Sequence, residues 1–124
     1  MSYEKVNYAD VEPVSDAMHF LREPLRSRSV GVTIVRCDPG WRSREHDHAG
    51  DEHEEIYVLM RGEATVRVDG EDVEMESGDV LRITPESTRQ IRNSDQESAF
   101  VLVSGPEFDD GSEEGSWSLS GFAG

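Results

Sequence analysis

The chain has 124 residues, of which 27 are acidic and 12 basic, giving a net charge of −15. That excess repels phosphate backbones and anionic lipid, so nucleic acid and membranes are not expected partners. The length supports one domain, and the sequence has neither an apolar run of about eighteen residues nor a basic-then-apolar leader, so no membrane span or signal peptide is expected.

Among the basic residues only Lys5 is a lysine. An acidic, nearly lysine-free composition suits a halophilic, salt-filled cytoplasm, where screening relieves self-repulsion; an ordinary acidic bacterial protein is the other reading. Cys37 has no second cysteine to pair with, which rules out an internal disulfide and fits a reducing, cytoplasmic setting.

In chain order, residues 1–29 read as a lead-in, 30–105 as a β-domain and 106–124 as a tail. Residues 4–14 alternate weakly and suggest an edge strand, where Pro13 is tolerated. Ser15 and Asp16 could cap a helical turn running to Leu21 and stopped by Pro24. His19 in this stretch is expected to be structural. From Ser29 the pattern becomes β: Val30, Val32 and Ile34 alternate with Gly31, Thr33 and Val35 up to the turn signal Asp38-Pro39-Gly40. Further strands are expected over 56–60, 64–68, 72–75, 80–83, 89–92 and 99–103. Asp69-Gly70 reads as a type I′ hairpin turn. Seven or eight short strands with almost no helix argue for a sandwich or barrel. The tail is acidic and Gly/Ser-rich, which reads as disordered, although Trp117, Leu119 and Phe122 leave docking open.

Residues 40–62, GWRSREHDHAGDEHEEIYVLMRG, carry the chemistry. His46 and His48 are one residue apart, so on a strand both project from one face. Glu55 opens the apolar run to Met60. Two imidazoles and a carboxylate on one face form a ligand set suited to Fe(II), Mn(II), Ni(II) or Zn(II). The bland alternative is a pair of exposed, titrating strand histidines.

This stretch resembles the first motif of the cupin superfamily, in which a glycine, five residues and His-x-His lead to a ligand Glu six residues before a second glycine. Gly40, His46, His48, Glu55 and Gly62 fit it, with a longer gap between His48 and Glu55. The second motif of the family is similar to residues 78–93, GDVLRITPESTRQIRN, through Gly78, Asp79, Pro85 and Asn93. Glu86 replaces the usual turn glycine, and Arg89 stands where the last ligand histidine belongs. The resemblance implies an all-β, jelly-roll-like double-stranded β-helix barrel with a site in its mouth.

Counting forward from His48, Glu52 falls at the family spacing; counting back from Gly62, Glu55 does, and Glu55 is preferred because it is tied to the strand. His53 could stand in for the missing histidine or be solvated. If Glu55 points inward, so do Tyr57 and Leu59, while Ile56, Val58 and Met60 face outward. Tyr57 is either barrel filling or a phenol for a substrate. Arg89 is either a salt-bridge partner or a clamp on an anionic ligand. Trp41 and Arg42 would lie at the barrel mouth. Two function classes follow. One is a metal-dependent oxygenase, isomerase or lyase acting on an anionic metabolite. The other is a metal-free small-molecule binding or sensor module. Similar cupins pair through their sheets, which implies a homodimer covering the outward face.

Overall fold

A computed structural model describes residues 2–106. The tail residues 107–124, with Trp117, Leu119 and Phe122, lie outside the described residues.

Among the described residues, eight antiparallel strands form two sheets. They are β1 (Met18–Phe20), β2 (Gly31–Cys37), β3 (Glu54–Arg61), β4 (Glu63–Val68), β5 (Glu71–Glu76), β6 (Val80–Ile83), β7 (Arg89–Asn93) and β8 (Ser98–Gly105). The first sheet runs β1-β2-β8-β3-β6 and the second β5-β4-β7. Sequence alternation sets which face is buried: every second residue of β2 and β8 is closed off, and β3 buries Glu55, Tyr57 and Leu59. Val35, Tyr57, Leu59, Val66, Ile91, Phe100 and Leu102 meet between the sheets with no exposed surface. Ring edges of Tyr57 and Phe100 pack T-shaped at 6.1 Å. Cys37 joins this core, and burial pushes its thiol up to about 11.

Two turns depend on backbone chemistry. Asp69 and Gly70 both hold positive φ, 51° and 83°, which is the expected type I′ hairpin between β4 and β5. Gly62, at φ 87°, could not carry a side chain, because a Cβ would sit 2.5 Å from the Glu97 carbonyl oxygen.

The lead-in differs from expectation. Residues 4–14 form no strand; a 3₁₀ turn, Tyr8–Asp10, is capped by Asn7, and only Val14 makes an isolated bridge, to Met18. Ser15 and Asp16 do not cap a helix. They take left-handed φ of 55° and 59°, reversing the chain so that Met18–Phe20 pairs with β2. The helical turn comes later, α1 (Arg22–Leu25), and contains Pro24. Proline is tolerated there because first-turn N–H groups have no intrahelical partner.

The histidine segment is not a regular strand either. It is laid along β7 by the bridges Arg42↔Arg92 and His46↔Arg89. Ser43 N–H donates to the Ile91 carbonyl at 3.0 Å and His46 N–H to the Arg89 carbonyl at 3.1 Å. Three residues on one side thus span two on the other, an irregularity of the kind that re-aims side chains near sites. This lacing holds the segment alongside β7.

Candidate metal centre

β3 presents Glu55, β7 presents Arg89, and the irregular segment between β2 and β3 presents His46 and His48. Glu55 is inward because it shares strand parity with Tyr57 and Leu59; Arg89 is inward because it shares parity with Ile91. Glu55 and Arg89 have no exposed surface and His48 has 1%. One donor atom from each of His46, His48 and Glu55 lies within 4.8 Å of the others. The two imidazoles stand edge to face, 5.0 Å apart.

The geometry gives several of these side chains defined partners. Arg89 is wholly engaged inside the protein: Nη1 donates to Glu55 Oε1 at 2.6 Å, Nη2 to the Thr84 carbonyl at 2.6 Å and Nε to the Ser87 carbonyl at 3.1 Å. It is a salt-bridge partner of the interior carboxylate. Tyr57 Oη lies 3.4 Å from the same Glu55 oxygen, and burial, reinforced by the Glu55 charge, holds its phenol well above the usual range. Glu55 Oε2 is different: it is buried with no hydrogen-bond partner among the described residues.

The two histidines are driven in opposite directions. Burial, then the neighbouring His48 and the Arg89 charge, lower His46 to about 4, which favours the neutral ring. For His48 burial works the same way, but hydrogen bonds and charge from Asp51 and Glu55 outweigh it and raise the ring to about 9. Its Nε2 lies 3.3 Å from Glu55 Oε1 and its Nδ1 2.9 Å from Asp51 Oδ2.

A second group uses the other edge of His48. His48, Asp51 and His53 also bring donors within 4.8 Å, and the His48 and His53 rings lie 5.6 Å apart. His53, expected either to ligate or to be solvated, is 3% exposed. Glu52 is exposed, at φ 60°, and stands outside both groups. Asp51 is the residue that sequence reasoning left without a role. The turn-forming Ala49-Gly50 just before it was the available signal, since a tight turn there brings residue 51 back to His48.

His19 takes no part; its Nδ1 contacts the Val11 carbonyl at 2.8 Å and its ring packs on Tyr8 at 5.1 Å. Trp41 packs against the core and donates from Nε1 to the Ser15 carbonyl at 3.1 Å, tying the lead-in to the site segment.

Comparison with known proteins gives a short sequence match, several structural neighbours and a family match. Over 66 residues the chain is 39% identical to tRNA(Ile)-lysidine synthase of Chlamydia trachomatis, a match covering 48% of this chain and 20% of the synthase. The chain therefore spans about a fifth of the curated relatives it matches. A cupin protein from Bacteroides fragilis superposes with a TM-score of 0.73 at 29% identity, covering 94% of this chain and 92% of that one. An oxalate decarboxylase variant from Bacillus subtilis gives 0.75 at 19% identity, over 99% of this chain and 33% of that protein. Among the described residues, no helix is long and apolar enough to cross a membrane. Residues 33–105, more than half the chain, match the cupin domain (Cupin_2), and the chain, with its two antiparallel sheets, belongs to the cupin family.

Proposed function

We propose that this cupin binds a divalent transition metal, Fe, Mn, Ni or Zn, through His46, His48 and Glu55, and acts there on a small anionic metabolite. The observation that carries this reading is Glu55 Oε2, a buried carboxylate oxygen without a hydrogen-bond partner beside two imidazoles. Burying such an atom costs free energy unless something pairs with it, and an ion supplies that pairing. Neutral His46 fits the same role. A bound ion would supply Lewis acidity toward a substrate oxygen. Three protein ligands leave coordination positions for that oxygen.

The protein's own groups do the rest. Arg89 holds one Glu55 oxygen and leaves the other for the ion. It also keeps positive charge at the wall, which attracts an anionic substrate without clamping it directly. A small carboxylate is the class named by the oxalate decarboxylase of the same fold, and lyase, isomerase and oxygenase chemistry all remain compatible with the set. The synthase match carries no tRNA role, since a net charge of −15 repels nucleic acid.

The Arg89–Glu55 pair also favours a second reading, a metal-free binding module in which the guanidinium supplies the counter-charge a metal would give. Elemental analysis of protein purified without chelator, with calorimetric titration of Fe(II), Mn(II), Ni(II) and Zn(II), separates the two. About one ion per chain, lost in His46→Ala with the fold intact, supports the metal centre. No binding above the His46→Ala background gives the metal-free module its place.

A further inference from the structure

We propose that Asp51 is a positioning residue for His48: it holds the Nδ1 edge of the ring so that Nε2 is presented to Glu55 and the metal. This rests on the metal reading above.

The inserted segment between His48 and β3 is a built turn. Asp51 N–H and Glu52 N–H both donate to the His48 carbonyl, at 3.2 and 2.7 Å, and Glu52 takes the left-handed φ of 60° that sends its side chain to solvent. The reversal returns the Asp51 carboxylate to the imidazole it follows. Asp51 Oδ2 and Oδ1 lie 2.9 and 3.1 Å from His48 Nδ1. Asp51 Oδ1 also accepts the His53 N–H at 2.9 Å, so the carboxylate is fixed at both ends of the turn.

An imidazole has two nitrogens, and a proton fixed on one leaves the other to bind a metal. A carboxylate accepting from Nδ1–H therefore assigns Nε2 to the ion, and Nε2 is the atom 3.3 Å from Glu55 Oε1. Turning the ring over would break the Asp51 contacts. His48 has no side-chain exposure and Asp51 only 18%, so water competes poorly for this bond. The longer spacing before Glu55 is thus not slack. It carries a carboxylate that orients the ligand, while the exposed Glu52 at the usual spacing does not.

The same donors define the rival use. His48, Asp51 and His53 could themselves hold an ion, with His48 Nδ1 as the ligand. Nδ1 can carry the proton or an ion, not both, so the two uses exclude each other.

The test titrates Zn(II) and Co(II) into full-length wild type, Asp51→Ala, Asp51→Asn, Asp51→Glu and His53→Ala. Co(II) absorption reports coordination, and ¹⁵N-histidine NMR of the Zn(II) form reports the proton on His48 Nδ1. The expected result is one ion per chain, weakened roughly 10- to 100-fold in Asp51→Ala and Asp51→Asn, as loss of such an outer carboxylate generally does. The His48 Nδ1–H resonance should be sharp and slowly exchanging in wild type and lost in Asp51→Ala. Asp51→Glu should recover part of the affinity, and His53→Ala should stay near wild type. Should Asp51→Ala not fold, Asp51→Asn, which keeps size and a backbone-bonding oxygen, carries the comparison. Wild-type affinity in the folded Asp51 variants overturns this proposal and leaves the metal centre standing. Two ions per chain, the second lost in both Asp51→Ala and His53→Ala, overturns it by making Asp51 a ligand. No metal bound by wild type sinks the metal centre and this proposal together.

Discussion

Arg89 Nη1 and Glu55 Oε1 are 2.6 Å apart, and neither side chain has any exposed surface. A pair removed this far from water depends on each partner to offset the other's desolvation, and breaking it costs more than the pair contributes. Two backbone carbonyls, of Thr84 and Ser87, also accept from the guanidinium and make Arg89 a strut between β3 and the start of β7.

Arg89→Met is accordingly expected to lower stability by about 3–5 kcal/mol, by stranding a buried carboxylate. Glu55→Gln in the same chain should recover much of that loss, since the stranded charge is gone. Denaturant titration of the two single variants and the double variant checks this. Losses that simply add would show that the two residues are not coupled. Arg89→His is expected to behave differently again: unstable without metal, but binding Zn(II) more tightly than wild type, because it exchanges a fixed cation for a fourth possible ligand.

The metal-free protein should show a stability maximum in pH set by its two site histidines. His46 is lowered to about 4 when folded, so the unfolded chain binds more protons between about 4 and 6.5, and stability falls as pH drops through that window. His48 is raised to about 9, so its contribution is full below about 6.5 and is lost as pH rises toward about 9. Thermal melts across pH should therefore flatten on the alkaline side in His48→Ala and on the acid side in His46→Ala. Equal pH dependence in wild type and His48→Ala would refute the assignment.

Salt should stabilise this protein. With a net charge of −15, repulsion acts over a screening length of about 10 Å at 0.1 M and about 3 Å at 1 M. The melting temperature is expected to rise between about 0.1 and 2 M KCl. A flat or falling trend would show that the charge is already balanced locally and would remove the case for a salt-adapted chain.

The outer face of the larger sheet is expected to bury itself in a homodimer. Val80, Val58, Val101 and Ile34 lie side by side across β6, β3, β8 and β2, with Ile56, Val103 and Val32 in the next row. Val80 and Met60 are 62% and 59% exposed. A stable pair should cover at least about 1,000 Å² in total. Light scattering at micromolar concentration in high salt should give a dimer, and Val80→Glu with Met60→Glu a monomer. A wild-type monomer would refute the expectation.

The sequence by itself determined the strands from β2 onward, because period-two alternation and turn residues such as Asp69-Gly70 act locally and need no distant partner. It also determined which residues point inward: once Glu55 is inward, the pleat obliges Tyr57 and Leu59 to follow. The lead-in was less legible, since Ser15 and Asp16 serve a left-handed reversal as readily as a helix cap, and only pairing of Met18–Phe20 with β2 selects between them. For the site, spacing supplied the candidates His46, His48 and Glu55 but not their surroundings. Whether Arg89 clamps a ligand or pairs with Glu55, 34 positions away in the chain, depends on strand register across the barrel. The tertiary structure likewise brings Glu55, and not Glu52, beside His46 and His48, and it gave Asp51 a place, because a turn within the insertion carries one carboxylate to His48 and turns its neighbour out to water. Local patterning fixes the direction of a side chain; only the closed barrel fixes what stands opposite it.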